Sequence, residues 1–243
     1  QLRRLPPETQ AVLQLAACAG NPFDLGMLAL VRRQSTGETA AELWPAVQAG
    51  VVLPQSAAYP VVSGNGPDLD PTVFAPAPVP ILAYRFLHDR VQQAAYAMIP
   101  EAQKKPTHLS IGQLLLQNSP AIQDEERLFE IINHLNIGRS LITDPEERAN
   151  LSRLNLMAGR KAKASIAYAA AIEYLKTGID LLPSNGWKCC YDLTLALHQE
   201  ITEAAYLNTD FDQMEQWATI TLQYARTLLD KLKVYEIQIT AAK

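Results

Sequence analysis

The run from Tyr84 to Tyr96 constrains the fold most, because it predicts a strand that turns directly into a helix at a His-Asp pair. Asp89 and Gln92 have the spacing of a capping-box variant. Apolar residues recur there at helical intervals and predict one buried face: Val91, Ala94, Ala95 and Met98. His88 is therefore predicted at a helix N-terminus, where backbone N–H groups and the helix dipole favour an anion. An imidazole there can contact a phosphate as a nucleotide sensor, and the alternative is a capping or core histidine.

Helix caps and helix breakers predict three short helices before this run. The predicted boundaries are Pro6-Pro7 and Gly20 for the first helix, Asp24 at the start of the second, and Ser35 or Thr36 and Gly50 for the third. Pro45 interrupts the pattern of the third helix.

Two strand-like runs, Val51-Val52-Leu53 and Ile81–Phe86, are separated by a segment rich in proline and glycine. We interpret residues of about 55–80 as a long wing loop. Three helices, a two-stranded hairpin and a closing helix follow one another as in a winged-helix domain. Residues 1–99 are therefore predicted to form a winged-helix-like domain.

A winged helix raises the possibility of DNA binding, for which the third helix needs lysine and arginine. Residues 37–48 contain Glu38 and Glu42 and no basic residue, and the net charge of the chain is −4. Neither nucleic acid nor an anionic membrane is expected as a partner. A DNA-binding transcriptional regulator with a helical sensor arm is kept as the alternative function.

From residue 100 onward the composition shifts to helix formers, with breaks near Ser119-Pro120, Asp144-Pro145 and 183–186. We predict antiparallel helical hairpins over 100–243, so the fold class is mainly α. The end at Lys243, inside a predicted helix, and the start at Gln1, without methionine, suggest a piece of a longer polypeptide.

The segment Ser165–Pro183 alternates small residues with tyrosine and leucine, and resembles the second helix of a tetratricopeptide (TPR) repeat. Its predicted partner is the preceding helix, in which Gly159 lets two backbones approach closely. A second pair is predicted at about 190–206 and 210–229. The spacing of roughly 40 residues exceeds the usual period of about 34, so the repeats are irregular. An ordinary helical bundle is the alternative.

The motifs of catalysis and metal binding are absent from the sequence. There is no G-x-x-x-x-G-K-[ST] loop, no H-E-x-x-H and no zinc-type Cys/His spacing. We predict no catalytic residue, no metal ligand and no cofactor in this segment, and a self-contained enzyme is a remote alternative. His108 and His134 lie among apolar residues and are predicted to be packing or capping groups.

Three further features bear on location and partners: a basic run, the cysteines, and the lack of a signal segment or membrane span in the sequence. The basic run Arg160–Lys163 is predicted to be a solvated or partner-facing patch, and binding to an acidic neighbouring domain is the sharper alternative. Cys18 and the adjacent Cys189-Cys190 do not form a disulfide framework, so reduced, buried thiols are expected. With no signal segment or membrane span in the sequence, we expect a cytoplasmic protein.

Three motifs together resemble the segment that follows the ATPase core in bacterial signal-transduction ATPases with numerous domains (STAND ATPases). The motifs are Phe86–Tyr96, Asn133–Asn136 and Leu154–Lys163. More narrowly, the chain resembles the large proteins that join a serine/threonine kinase, such an ATPase and a sensor histidine kinase.

The resemblance implies a role for the His-Asp pair. In this class a Met-His-Asp motif on the last helix of a winged helix senses the β-phosphate of ADP. Here Leu87 stands at the methionine position, His88 takes the phosphate-contacting role and Asp89 the orienting role. ADP or ATP would be contacted only in the full-length protein. The implied partners are an upstream nucleotide-binding domain and an unknown protein or small molecule on the repeats.

Overall fold

A computed structural model describes residues 2–55, 83–118 and 125–241. These residues are mainly helical, which confirms the predicted class at this level. The chain divides into two compact units, residues 1–115 and 116–243. The division proposed from sequence, at residues 99 and 100, stays a prediction. In the part of the chain that is described, no helix is both long and apolar enough to cross a membrane.

The first unit combines short helices with a small antiparallel sheet. Its elements are α1 (Pro7–Ala19), β1 (Phe23–Asp24), α2 (Leu25–Arg32), α3 (Thr36–Gln48), β2 (Val52–Pro54), β3 (Ala83–Phe86), α4 (Asp89–Ala97) and most of α5 (Glu101–Gln117). The strands lie in the order β1-β3-β2, with Phe23 opposite Tyr84 and Val52 opposite Phe86. The core between sheet and helices is formed by fully buried apolar side chains that include Val12, Leu28, Leu43 and Phe86.

The predicted helix caps of this unit are confirmed. The Asp24 side chain accepts a hydrogen bond from the Met27 N–H, 2.7 Å away. Ser35 and Glu38 form a complete capping box at the start of α3. Helix α3 continues past Pro45 to Gln48, so the proline does not end it. These signals are local in sequence, which is why they can be predicted without tertiary information.

At the junction, the predicted capping box and part of the predicted buried face were wrong, and one strand of the sheet was not foreseen. The sequence did not indicate β1, a strand of two residues. The capping box of Asp89 and Gln92 does not form, because the N-cap residue of α4 is His88 and Asp89 is already the first residue of the helix. Both side chains bond instead to the preceding part of the unit: Asp89 accepts from Asn21, and Gln92 donates to the carbonyl of Ala17. Of the predicted buried face of α4, Ala95 is buried, Val91 and Met98 are half-buried, and Ala94 is exposed. Most of the predicted wing, 56–80, lies outside the described residues.

The second unit is a series of helices. These are α6 (Glu125–Gly138), α7 (Pro145–Ala164), α8 (Tyr168–Leu181), α9 (Gly186–Cys189), α10 (Tyr191–Leu207), α11 (Phe211–Tyr224) and α12 (Leu228–Ala241). Helices α7 and α8 pack as one pair and α10 and α11 as another. Each pair turns through one left-handed residue, Ile166 with φ 64° and Thr209 with φ 58°. The two predicted helical pairs are therefore present, although α11 ends at Tyr224 rather than near 229.

Close packing in this unit depends on glycine. A β-carbon on Gly159 of α7 would lie 2.6 Å from Cγ of Leu175 on α8. Likewise, a β-carbon on Gly178 of α8 would lie 2.7 Å from Cδ2 of Leu197 on α10. The two leucines are fully buried. The close approach predicted for Gly159 is confirmed, and Gly178 repeats it at the next helix contact.

Replacement of Gly159 by alanine should destabilise the second unit. Overpacking costs about 1–3 kcal/mol, against roughly 1 kcal/mol that alanine gains over glycine in a helix. We expect a net loss of about 1 kcal/mol in the free energy of unfolding, measured by urea denaturation. Gly37→Ala is the control, because Gly37 is exposed in α3 and its nearest atom to a new β-carbon is 4.0 Å away. An alanine variant of Gly159 as stable as the wild type would contradict the packing argument.

Candidate functional site at the junction of strand β3 and helix α4

The predicted sensor pair lies where strand β3 meets helix α4. Phe86, the last residue of β3, is 1% exposed, and its ring centroid lies 5.3 Å from that of Phe23 on β1. The next residue, Leu87, is 42% exposed, and its N–H donates to the carbonyl of Val51. The buried ring and this backbone hydrogen bond fix the strand end, so the residues that follow start from a defined position.

Asn21 ties the junction to the end of helix α1. Its Oδ1 accepts a hydrogen bond from the Phe86 N–H at 2.9 Å, and its Nδ2 donates to Oδ1 of Asp89 at 3.4 Å. One turn further along α4, the Gln92 amide donates to the Ala17 carbonyl at 3.3 Å. Sequence reasoning missed Asn21, because its partners are more than 60 residues away in the chain.

His88 is the N-cap residue of α4, in an extended conformation with φ −146° and ψ 150°. Its side chain makes no capping hydrogen bond and is exposed. Its carbonyl accepts from the N–H groups of Val91 and Gln92. The alternative of a core histidine therefore does not hold, and the imidazole makes no capping hydrogen bond in α4.

The surroundings of His88 suit an anion in part. The first N–H groups of a helix have no intrahelical acceptor, and the dipole favours negative charge there. Arg90, two residues after His88 in the sequence, is also exposed, and sequence reasoning did not single out its guanidinium. Asp89 is exposed as well and contributes a negative charge that opposes an anion. The hydrogen bond that Asp89 accepts comes from Asn21, so its orienting role toward His88 stays a prediction.

The other three histidines are buried. His108 lies 3.1 Å from the hydroxyl of Tyr96, and burial lowers its pKa. His134 is 6% exposed. His198 packs between two tryptophan rings, with Nδ1 2.7 Å from the Thr194 carbonyl oxygen. Burial lowers the pKa of His198 too, and the hydrogen bond to the carbonyl acts in the opposite direction. The packing role predicted for His108 and His134 is confirmed.

The polar residues of the other two motifs join helices α6, α7 and α8. Asn136 and Asn155 exchange two amide hydrogen bonds, of 2.8 and 2.9 Å, and Asn155 is fully buried. The hydroxyl of Tyr174 on α8 donates to Oδ1 of Asn133 on α6 at 2.8 Å. Ser152, which lies on α7 just before the second motif, donates its hydroxyl to the carbonyl of Gly178 at 2.8 Å. Buried amides and hydroxyls with satisfied hydrogen bonds specify how helices pack. In this structure these motif residues therefore hold the helices together.

The basic run on α7 takes part in an ion-pair network rather than forming a free patch. The network consists of Arg160, Lys163, Glu200, Glu203 and Lys233. Lys163 Nζ lies 2.5 Å from a Glu200 oxygen and 2.6 Å from a Glu203 oxygen. For Lys163, whose side chain is 16% exposed, the prediction of a solvated or partner-facing patch was wrong, because its acidic partners lie on α10 of the same unit. Arg160 pairs with Glu200 as well, but its side chain is 53% exposed and stays solvated. Lys233 on α12 completes the network.

Among residues 2–55, 83–118 and 125–241, no group of three or more His, Cys, Asp or Glu side chains could hold a metal ion. The prediction that the segment has no cofactor remains untested.

Comparison with known proteins gives one informative similarity. The chain is 27% identical, over an alignment of 269 positions, to part of hybrid signal transduction histidine kinase G from Dictyostelium discoideum. The alignment covers 93% of this chain and 8% of that kinase, so the chain spans less than a tenth of the relative's length. No family profile and no solved structure matches. At a coarse level the similarity supports a role in signal transduction, and it gives no support to a bacterial assignment.

Proposed function

We propose that this chain is a non-catalytic regulatory and protein-interaction segment of a larger signalling protein. In this proposal the first unit is a winged helix that docks on a STAND-type ATPase core. The second unit is a TPR-like sensor or scaffold arm. The parent protein would also carry kinase domains and reside in the cytoplasm. Similarity to part of a signal transduction histidine kinase supports the signalling context.

The order of elements supports the winged-helix proposal. Helices α1, α2 and α3 come before the paired strands β2 and β3, and α4 closes the unit. The short strand β1 adds a third strand next to β3. A winged helix with this order of elements can bind DNA or protein. Helix α3 carries no lysine or arginine, and its Glu42 forms an ion pair with Arg32 at 2.6 Å. These charges favour a protein partner over DNA, and a gel-shift assay at low salt is expected to show no binding.

The single observation that carries the sensor role is the open position of His88. Its ring is exposed at the N-terminus of a helix that is anchored to α1 through Asn21 and Gln92. A phosphate of a nucleotide held by an upstream core could accept a hydrogen bond from the ring if that core docked on this face. Docking would then be linked to the bound nucleotide, because ADP would contact His88 only in the docked form.

The arm proposal depends on the helical pairs and on one exposed surface. Pairs α7/α8 and α10/α11 repeat the same turn, each with a left-handed residue. Helix α12 exposes an adjacent pair of leucines at its start and further apolar side chains at intervals of about one turn: Leu228, Leu229, Leu232, Tyr235 and Ile239. Exposed apolar patches of this kind mark protein-binding surfaces. They support protein interaction as the role of the second unit.

Replacement of His88 by alanine in the full-length protein tests the sensor proposal. A two-state switch of this type has a coupling free energy of about 1–3 kcal/mol, which is roughly 5- to 150-fold in affinity. We expect weaker ADP binding by a factor in this range and a higher basal signalling output. Isothermal titration with ADP and with ATP provides the measurement.

The matched control is Gln93→Ala, which changes an exposed residue on the same helix away from its first turn. It should leave ADP affinity unchanged. Equal ADP affinity and equal basal output in wild type and His88→Ala would reject the sensor role. If Gln93→Ala changed ADP affinity and basal output as much as His88→Ala does, the effect would come from a general disturbance of α4 and the sensor role would be rejected.

A further inference from the structure

Two adjacent thiols lie at the turn between helices α9 and α10. Cys189 ends α9 and Cys190 precedes α10, and their Sγ atoms are 3.2 Å apart. Cys189 is exposed and Cys190 is half-buried, so the expectation of buried thiols holds only for Cys18. All three cysteines are free thiols. The pair is thus a preformed dithiol that reagents can reach from solvent.

A disulfide is a poor fit to this pair. Consecutive Cα atoms across a trans peptide are about 3.8 Å apart, whereas disulfides usually join Cα atoms separated by about 4.4–6.8 Å. The two sulfurs would also have to move from 3.2 Å to bonding distance, about 2.05 Å. A bond formed under such strain is easily reduced. The geometry therefore favours an atom bound between the two sulfurs over a bond between them.

A bridging atom fits the sulfur separation without movement. With bonds to sulfur of about 2.3 Å, as for zinc thiolates, a separation of 3.2 Å corresponds to an S–atom–S angle of roughly 90°. Zinc prefers tetrahedral angles and four ligands, and no third metal-binding side chain accompanies the pair in the described part of the chain. A pyramidal trivalent centre has smaller angles, and thiolates prefer soft partners of this kind.

We propose that Cys189 and Cys190 form a binding site for trivalent arsenicals. An arsenical with one organic group needs two sulfur ligands, which is the number available here. The reaction of an organoarsenic(III) oxide with the two thiols forms two As–S bonds. The oxide oxygen leaves as water with both thiol protons, and arsenic stays trivalent. No oxidant or reductant is needed.

Arsenic bound to Cys189 and Cys190 would change the local structure of the second unit. The Cys190 carbonyl accepts two hydrogen bonds from Thr194, from its N–H and its hydroxyl, both 2.9 Å long. Trp187, two residues before Cys189, stacks on Tyr224 at 5.2 Å and packs against His198 at 4.8 Å. When arsenic bonds both sulfurs, it closes a ring with the Cys189-Cys190 backbone. This ring restricts the backbone at the start of α10 and changes the surroundings of Trp187. Fluorescence from Trp187 is therefore a local reporter of binding.

Phenylarsine oxide is the probe for this site. We expect intact-mass measurement of the chain, with excess 2-mercaptoethanol present, to show one phenylarsenic adduct per chain. Dithiothreitol, a competing dithiol, should remove it. Cys189→Ser and Cys190→Ser should each weaken binding on the order of 10²-fold or more, because the second As–S bond within one chain supplies the effective concentration. Tryptophan fluorescence should change with the same titration midpoint.

Cys18→Ser is the control, since it removes a buried thiol in the other unit and should retain the adduct. Circular dichroism of each serine variant verifies that the helices are intact, and Cys189→Ala provides a second test if a serine variant is unfolded. Retention of a monothiol-resistant adduct by folded Cys189→Ser or Cys189→Ala would overturn the proposal. So would the absence of any adduct on the wild-type chain.

Discussion

Replacement of Phe86 by alanine is expected to destabilise the first unit by about 3–5 kcal/mol, the usual loss for a buried phenylalanine. Phe86 is 1% exposed and packs on Phe23, and its position is at the centre of the β1-β3-β2 sheet. A cavity there removes contacts from all three strands and from the core helices. Calorimetry of the chain should show a lower transition temperature for the first unit.

The neighbouring variant Leu87→Ala is the control for this prediction. Leu87 is 42% exposed and its backbone hydrogen bond to Val51 does not involve the side chain. Its effect should lie within about 0.5 kcal/mol, as for most surface changes. Hydrogen exchange at the Leu87 N–H gives a second readout, because this amide should lose protection in Phe86→Ala. Equal effects of the two variants would mean that the strand end is not anchored by the Phe86 ring.

The anchoring of Phe86 also matters for the proposed sensor. Only two residues, Leu87 and His88, separate β3 from α4. A rigid strand end therefore determines where the imidazole lies, and flexibility there would weaken any contact with a nucleotide. In the full-length protein we accordingly expect Phe86→Ala to reduce nucleotide sensing along with stability.

Features set by neighbours in sequence could be predicted for this chain. The helix start at Ser35 or Thr36, the Asp24 cap and the stop at Gly20 depend on residues within one helical turn, and the structure has a helix boundary at each, with Ser35 as the N-cap of α3. The close contact at Gly159 also follows from a local pattern of small residues. Helix propensity and capping act over a few residues, so sequence alone is sufficient there.

Features set by distant partners could not be predicted. Asn21 donates a hydrogen bond to Asp89, which lies 68 positions later in the chain. Strand β1 has two residues and exists only because β3 pairs with it. Lys163 was predicted to face solvent or a partner, yet its carboxylate partners lie 37 and 40 positions later. Hydrophobic and charge patterns contain no information about such pairings until the fold brings the elements together.

The exposure of His88 falls between these two cases. Its place before a helix could be predicted, because the run from strand to helix is local. Strand alternation suggested that Phe86 points inward, as observed, but it did not determine the direction of the His88 ring.

Replacement of Glu200 by alanine is expected to cost the second unit about 3 kcal/mol, the lower end for breaking a buried ion pair. The Glu200 side chain is 9% exposed and contacts Lys163, Lys233 and Arg160. Its loss leaves Lys163 and Lys233 with Glu203 as their remaining partner in the network, and it removes the ion pair of Arg160 with Glu200. The lower end of the range for a buried ion pair applies because the side chains of Lys233 and Arg160 are 35% and 53% exposed, so solvent screens their charges.

Glu173→Ala is the matched control. Glu173 is also paired with a lysine, Lys176, but at 3.9 Å and with a side chain that is 77% exposed. An exposed pair of this kind contributes between about 0 and 1 kcal/mol. Urea denaturation followed by the fluorescence of Trp187 and Trp217 measures both variants. Similar losses in the free energy of unfolding of the two variants would show that burial of the network adds nothing to stability.

The stability contributed by the Glu200 network should depend on pH, and the direction of that dependence can be measured. Burial would raise the pKa values of Glu200 and Glu203, but hydrogen bonds and charges from Lys163 and Lys233 outweigh it and hold both pKa values below the ordinary value. Burial would lower the pKa of Lys163, and its two carboxylate partners raise it instead.

The stabilisation by the glutamates is therefore complete above their unfolded pKa of about 4.3 and is lost as pH falls through the folded pKa. That of Lys163 is complete below about pH 10.4 and is lost as pH rises through its folded pKa. The stability difference between wild type and Glu200→Ala should thus be constant between about pH 5 and pH 10 and narrow on both sides. A difference that stays unchanged down to pH 2 would contradict a charged Glu200 in the folded protein.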